Sequence, residues 1–332
     1  MKNKIILLII FININLLFSQ NSFITIVEIV NEKSNPNRGL IENNISSLLN
    51  YFNNAFSKDA TTLDLSANIV TTNGMESINK LWKNRQFKTN ELELYVYLLN
   101  RNNNTSYEIR HIPLVQLDDE GKSNYQEAVF TLTKDGKIDD LKFGVAEHQY
   151  KEIMKRGLSA IEETRRLVIL SFVENFRTAY DRKDIKYIES VFGDKALIIV
   201  GKVIKEENSR IGLDGNVEVE KVKFIRLSKQ EYIKNLTSTF KSNNYIKVKY
   251  DSIEVTQSKM NDHFYAVNMI QDWKTTRYSD KGYLFLLIDF TDEDKPIIHV
   301  RAWEPHKQTI KKDRIVIGDF VIEPPEWCYE FI

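Results

Sequence analysis

The apolar positions of the chain follow two different periods, and the same order of periods occurs twice. From Leu40, apolar residues recur at three- and four-residue spacing through Phe56, which predicts an amphipathic helix. Alternating apolar and polar residues then take over until Val145 and predict strands. A second helical stretch begins at Leu158, and a second alternating stretch ends at Trp303. We therefore expect two structural units of the same order.

The first pass opens with an alternating strand over residues 23–30 and then the Leu40 helix. A short helix over residues 60–65, a strand over 67–70 and a third helix carrying Trp82 follow by pattern. Three long strands and a shorter one are predicted after it, separated by turns rich in Asp, Lys and Gly. They lie at residues 92–98, 107–111, 125–132 and 138–145.

The second pass repeats this order with one addition. A helix carries apolar residues from Ile161 to Tyr180, a short helix covers residues 184–192, and a strand covers residues 196–200. A hairpin over residues 201–226 is inserted before the third helix. Ser228 and Glu231 have the spacing of a capping box and mark the start of that helix. Four long strands are predicted to follow, at residues 245–255, 264–273, 283–290 and 297–303.

Helices followed by paired antiparallel strands predict an α+β fold, in which one face of each sheet is buried on helices. The order resembles the nuclear-transport-factor-2-like (NTF2-like) family, which includes ketosteroid isomerases and SnoaL-type cyclases. The residues that carry the resemblance best are 172–184, ending in Ala179-Tyr180-Asp181-Arg182-Lys183-Asp184, and 299–305, ending in Trp303-Glu304-Pro305. The resemblance implies two tandem cones, each with helices packed on a curved antiparallel sheet. Two unrelated α+β domains remain the alternative.

The first twenty residues predict export. Lys2 and Lys4 precede an apolar run from Ile5 to Phe18, and Ser19 offers a cleavage position before Gln20. The run is too short to cross a bilayer comfortably. The alternatives are a buried N-terminal helix and an uncleaved anchor. The expected organisation is a signal peptide at 1–19, a strand and linker at 20–39, NTF2-like domains at 40–148 and 149–306, and a tail at 307–332.

Composition narrows the classes of function. Lys plus Arg number 46, and so do Asp plus Glu, so the chain lacks the excess of basic residues that is typical of nucleic-acid-binding proteins. The single cysteine, Cys328, excludes an intrachain disulfide and lacks the histidine context of a nucleophile. Five scattered histidines give no metal-ligand spacing, and no phosphate or dinucleotide loop is present. We therefore expect no cofactor and no metal.

The resemblance also implies where chemistry would lie. In the similar enzymes an acidic residue projects into the cone and acts as a general base. In the second unit, Asp272 and Asp289 are the carboxylates that interrupt apolar strands, and in the first unit Glu127 does so without an evident partner. Strand-end positions make solvent-exposed rim residues the alternative for Asp272 and Asp289.

The last strand is the best candidate for ligand binding. His299, Arg301 and Trp303 share one face by the two-residue period, and Trp273 and Tyr283 extend the same surface. Such a row is suited to an anionic or sugar-like ligand through charge, hydrogen bonds and stacking. The alternative is that these residues form the outer face of the sheet. In the tail, residues 314–322 predict a strand that docks internally or pairs with a partner's sheet.

Three functions compete at this point. The first is an exported, non-enzymatic protein of the cell envelope, periplasmic or extracellular, that binds a small ligand or an envelope protein as a monomer or weak dimer. The second is an isomerase- or cyclase-like enzyme that uses a pocket carboxylate of the second domain. The third is a glycan-binding surface module, supported by the aligned Trp and Tyr residues.

Overall fold

The computed structural model describes residues 24–101, 104–117, 121–155, 160–207, 218–258 and 261–305. The first unit contains two helices, α1 (Arg38–Ser57) and α2 (Thr72–Asn84). The apolar stripe of α1 is buried as predicted, from Ile41 through Phe52. Helix α2 begins where the Thr71 hydroxyl accepts a hydrogen bond from the Gly74 amide at 3.1 Å.

The strands of the first unit form two sheets. In the smaller sheet β1 (Ile26–Ile29) pairs in parallel with β2 (Glu93–Val96). The larger sheet has the order β3-β4-β5-β6, and every neighbouring pair is antiparallel. Its strands are β3 (Leu99–Arg101), β4 (Ser106–Leu117), β5 (Ser123–Thr133) and β6 (Ile138–Phe143). Val70 adds a single parallel bridge to Ile138 at the β6 edge.

Four helices belong to the connector and the second unit. They are α3 (Glu147–Lys155), α4 (Ala160–Asp181), α5 (Ile185–Ser190) and α6 (Lys229–Ser242). The predicted capping box is confirmed at the start of α6, where Ser228 and Glu231 exchange both hydrogen bonds. The predicted domain boundary after residue 148 falls inside α3.

The second unit has one six-stranded sheet of order β8-β7-β12-β11-β10-β9. Only the β7–β12 pair of this sheet is parallel. The strands are β7 (Phe192–Glu207), β8 (Glu218–Leu227), β9 (Ile246–Gln257), β10 (Phe264–Thr275), β11 (Ser279–Asp289) and β12 (Ile297–Pro305). The first unit has the same succession, since the Val70 bridge is parallel to the last strand β6 just as β7 is parallel to β12.

The predicted α+β class is confirmed, because helices pack against mainly antiparallel sheets in both units. We call the face of the six-stranded sheet that packs on α4 and α6 the inner face and the opposite one the outer face. The inner-face core includes Phe176, Val267 and Leu286, and a separate apolar cluster on the outer face includes Phe285 and Val300. None of the described helices is long and apolar enough to cross a membrane.

Buried charges join the two units. Arg110 of β4 forms ion pairs with Glu174 of α4 and, at 3.1 Å, with Glu108. The Lys142 ammonium donates to the Ser171 hydroxyl at 2.8 Å. These four charged residues, Glu108, Arg110, Lys142 and Glu174, are at most 6% exposed. Each carries a partner of opposite charge, which is the condition for burying ions at tolerable cost.

Several predictions for the first unit are wrong in detail. Residues 60–65 form no helix, because the backbone groups of Leu63 bond to the Asn79 side chain and the Ala60 carbonyl accepts from Trp82 Nε1 at 2.7 Å. The strand predicted at 67–70 is reduced to the Val70 bridge. Of the strand predicted at 92–98, only β2 forms, and β3 begins just beyond it in a different sheet. The residues predicted to form a signal peptide, the loop of the inserted hairpin, the predicted tail strand and Cys328 lie outside the described residues.

Candidate functional site

The inner face of the second unit carries a polar cluster inside an otherwise apolar core. Three tyrosines come from three elements, Tyr180 from α4, Tyr232 from α6 and Tyr250 from β9. They surround the guanidinium of Arg301, which lies 5.2 Å from the centroid of the Tyr232 ring. The Tyr180 and Tyr232 hydroxyls are hydrogen-bonded at 2.7 Å.

Four further residues complete what we call the inner-face cluster: Gln271, Trp273, Asp280 and Trp303. Trp273 and Asp280 are direct cross-strand partners of β10 and β11, and the Trp273 ring meets Tyr180 edge-on at 5.4 Å. The Trp303 indole lies against Gly282, where a Cβ atom would stand 2.6 Å from indole atoms. Gly282 therefore makes room for the indole.

Arg301 is buried, and no carboxylate among the described residues lies at ion-pair distance from its guanidinium. Its Nε has no hydrogen-bond partner. Burial raises the pKa of Tyr180 and of Tyr250 well above their ordinary range, so both hydroxyls are neutral at pH 7. Dipoles, a ring face and the more distant charge of Asp280 stabilise this cation in place of a direct ion pair.

The unsatisfied polar atoms of the cluster include donors and acceptors. The Arg301 Nε–H, the Trp303 Nε1–H and the Tyr250 hydroxyl have no hydrogen-bond partner, and these residues are 5–6% exposed. Gln271 Oε1 and Asp280 Oδ1 are the unpartnered acceptors. Buried polar groups normally have partners, and each exception asks for a reason. The two N–H donors and the hydroxyl around a cation suit a ligand that carries acceptor oxygens and negative charge.

Asp280 is the carboxylate of the inner face. Burial raises its pKa above the usual range, against the hydrogen bond from the Tyr278 hydroxyl at 2.7 Å and the charge of Arg301. The sequence places Asp280 in a turn between strands, whereas the structure places it near the start of β11. A carboxyl group with a raised pKa next to aromatic rings is a candidate for proton transfer.

The five residues predicted to bind a ligand are divided between the two faces. Trp273, Arg301 and Trp303 lie on the inner face, in or against the main core. Tyr283 lies in the outer-face cluster, and His299 stacks on the outer-face ring of Phe264 at 5.5 Å. The expectation that all five share one face is wrong. The pairing of β12 shifts register between Ile298 and Val300 and turns His299 outward, and Tyr283 faces outward because it alternates with the inner-face residue Leu284 along β11.

Neither carboxylate proposed from the sequence as a base lies on the inner face. Asp272 is exposed and pairs with Lys249 and Lys281 across the strands. Asp289 pairs with His299 at 3.5 Å on the outer face. Burial alone would raise its pKa, but hydrogen bonds from Thr291 and His299 outweigh burial and lower it. Glu127 of the first unit is bonded to His111 at 2.6 Å. In the part of the chain that the structure describes, no group of three or more potential metal ligands is assembled.

Sequence reasoning missed the three tyrosines. Tyr180 and Tyr232 fit apolar helix stripes, and Tyr250 fits an alternating strand, so each reads as a core residue. What distinguishes them is their meeting around Arg301, which depends on contacts between residues more than fifty positions apart.

Comparison with known proteins identifies no family. No protein-family model matches the chain, and no curated protein matches it. Similar solved structures include Bd1075 of Bdellovibrio bacteriovorus, with 11% identity, 64% of this chain and 93% of that chain covered, and a TM-score of 0.34.

Two others are described as NTF2-like. One is a putative dehydratase from Streptomyces avermitilis, with 11% identity, 40% of this chain and 88% of that chain covered, and a TM-score of 0.28. The other is a protein of unknown function from Shewanella oneidensis, with 15% identity, 41% and 95% covered, and a TM-score of 0.28. All three TM-scores lie below 0.5, so the description of the fold rests on the element order and sheet topology of this chain.

Proposed function

We propose that the chain is an exported ligand-binding protein of the cell envelope, and that its second unit binds a small anionic ligand on the inner face. The observation that carries the proposal is Arg301, a buried cation with no carboxylate partner among the described residues. A buried guanidinium of this kind is tolerated where a ligand supplies the negative charge that pairs with it. The N-terminal pattern of residues 1–19 supports export.

The surroundings of Arg301 restrict the ligand. The cluster offers aromatic rings from Trp273, Trp303 and the tyrosines beside a single guanidinium. Such a site favours one carboxylate or similar group on a flat or apolar body, because rings supply stacking area and the guanidinium binds two oxygens at once. We propose further that the two units are tandem copies of one fold, of which only the second kept a polar interior.

Tryptophan fluorescence tests this proposal. Benzoate serves as the probe and benzamide as its neutral counterpart, and Trp303 serves as the reporter. We expect benzoate to change the emission saturably and benzamide to have at least tenfold lower affinity. Arg301→Met should remove the benzoate response. Trp303→Phe should remove most of the signal, whereas Trp82→Phe in the first unit should leave the response in place.

Two outcomes would overturn the proposal. One is the absence of any saturable change with benzoate at millimolar concentration. The other is an equal response to benzamide, or an unchanged affinity in Arg301→Met, either of which would show that the guanidinium does not recognise charge.

Asp280 supports a second candidate, an isomerase-like enzyme. Its raised pKa and its place beside Trp273 and Arg301 are what a general base on the inner face requires. If the protein is such an enzyme, it should catalyse deuterium uptake next to the carbonyl of a simple ketone such as cyclohexanone in D2O. The Asp280→Asn variant should lose this activity. A binding protein shows no catalysed uptake, and its Asp280→Asn variant binds benzoate equally well or more tightly because a nearby negative charge is gone.

A further inference from the structure

A polar cavity lies where the two units meet, and of the inner-face cluster only Tyr250 lines it. We call it the junction cleft. One wall is formed by β5 and the segment after β6, including Gln126, Glu127 and Gln149, and the other by the ends of β9 to β11, including Lys249, Asp272 and Lys281. Its volume is ≈ 220 Å³. A water molecule fills about 30 Å³ in the liquid, so the cleft has room for roughly seven waters or a ligand of dipeptide size.

Two buried amide side chains line the cleft with half of their bonding capacity unused. Gln126 is 3% exposed, and its Oε1 accepts from Arg177 while its Nε2 has no partner. Gln149 is 8% exposed, and its Nε2 donates to Asp251 while its Oε1 has no partner. The cleft thus offers one amide donor and one amide acceptor, the complement of a peptide group. Leaving both unsatisfied costs stability, and a ligand that bonds to both groups would offset this cost.

The walls carry charges of both signs. Asp272 is the cross-strand partner of both Lys249 and Lys281, so this row has one excess positive charge. On the facing wall Glu127 is fixed in position, since its carboxylate accepts from His111 at 2.6 Å and from the Glu147 amide at 3.1 Å. A ligand with an anionic and a cationic end is complementary to these two walls.

Backbone irregularities border the cleft on both sides. His111, which bonds Glu127, has a φ of 63°, and Ser252, which bonds Asp251, has a φ of 52°. Both residues lie where strand pairing shifts register, in β4 and in β9. Positive φ at non-glycine residues is costly and concentrates at functional sites, as do bulges. Here His111 and Ser252 bond to Glu127 and Asp251, two carboxylates that line the cleft.

We propose that the junction cleft binds a small zwitterion that contains an amide group, of the size of a dipeptide. Its carboxylate meets Lys249 and Lys281, its ammonium meets Glu127 and Asp251, and its peptide group bonds to Gln126 and Gln149. Because residues of both units line the cleft, occupancy also ties the units together.

Isothermal titration calorimetry with L-alanyl-L-alanine tests the proposal on the whole protein. We expect saturable binding, and at least tenfold weaker binding of the N-acetylated and of the C-amidated dipeptide, because each lacks one charge. Lys281→Ala should weaken binding by about fivefold, as for loss of one partly exposed ion pair. Lys241→Ala, on the exposed side of α6, removes the same charge elsewhere and should leave the affinity unchanged.

Binding that is absent at millimolar dipeptide, or equal for the two capped peptides, would overturn the proposal. So would equal effects of Lys281→Ala and Lys241→Ala, since these would indicate attraction by net charge alone. The result is distinguishable from that for the inner face, because Arg301→Met should abolish the benzoate response while leaving dipeptide binding intact.

Discussion

The interiors of the two units are filled by different kinds of residue. In the first unit the space between helices and sheet is filled by aromatic rings, with Phe87 meeting Phe52 at 4.9 Å and Trp82 at 5.2 Å. In the second unit the corresponding space beside the apolar core holds Arg301 and three tyrosines. In both units the last strand has a parallel partner on one side and antiparallel strands on the other. The two interiors therefore differ in their side chains, and we expect them to differ in role.

An apolar interior stabilises the fold through every ring that it buries. A buried guanidinium without a carboxylate at ion-pair distance does the opposite, because it loses hydration and gains no direct ion pair in exchange. The first interior is thus explained by stability alone, and the second is not. Departures of this kind, where local rules are broken without a compensating gain, are expected at functional sites.

The largest expected effect is a loss of packing in the first unit. Phe52 is fully buried against Trp82 and Phe87, so Phe52→Ala should lower the free energy of unfolding by about 3–5 kcal/mol. Urea denaturation measures the change. Tyr97→Ala removes a ring that is 64% exposed and should change stability little. A small effect of Phe52→Ala would show that the first interior is less tightly packed than the ring contacts indicate.

The next largest effect is a loss in the free energy of unfolding at low pH, when Glu108 is protonated. Burial would raise the pKa of Glu108, but Lys142, Arg110 and Arg101 outweigh it and lower the pKa from 4.5 to about 2. Between these values the unfolded state binds more protons, so stability rises with pH. The contribution is present above about pH 4.5 and is lost as the pH falls towards 2, a change of about 3 kcal/mol.

Denaturation curves between pH 5 and pH 2 for the protein and for Glu108→Gln measure this contribution to the free energy of unfolding. The variant should be less stable at neutral pH and show a shallower pH slope. Identical slopes of the free energy of unfolding against pH would mean that Glu108 is not the source of the acid sensitivity.

A smaller effect is expected from filling the space at Gly282. A methyl group there would collide with the Trp303 indole and with the Glu304 carbonyl, 2.3 Å away. Gly282→Ala should therefore cost about 1–3 kcal/mol and weaken the benzoate response by displacing Trp303. Gly39→Ala in α1 is the control, since nothing lies within 4 Å of the added atom. An unaltered benzoate response in Gly282→Ala would place the ligand away from Trp303.

Local signals predicted much of the fold. The apolar stripes of α1, α2, α4 and α6 and the alternation of β10 indicate which face is buried, because burial of one face is what creates the pattern. Strand β11 is buried on both faces and carries no such signal. Residues 60–65 fail this test. Their apolar spacing fits a helix, but the Asn79 side chain and the Trp82 indole bind their backbone in a loop. Such long-range partners cannot be read from local spacing.

The candidate site was predictable only in part. The two-residue period correctly places Arg301 and Trp303 together, because no register shift separates them. It fails for His299, where a bulge reverses the face, and Asp280 was lost by taking a strand start for a turn. Neither the tyrosines around Arg301 nor the two glutamines of the junction cleft carry any sequence signal, since each is an ordinary residue until its distant neighbours are known.

Comparing two buried arginines tests the central claim most directly. Arg177 donates to the Val248 and Gly144 carbonyls at 2.7 Å each and to Gln126, whereas Arg301 Nε has no partner. The free energy of unfolding of Arg177→Met and Arg301→Met should be measured by urea denaturation without ligand. We predict that Arg177→Met is destabilised by about 3 kcal/mol, because its acceptors are left unpaired, while Arg301→Met is as stable as the parent or more stable by about 1 kcal/mol. Destabilisation of Arg301→Met equal to that of Arg177→Met would contradict the account, since Arg301 would then serve the fold and not a ligand.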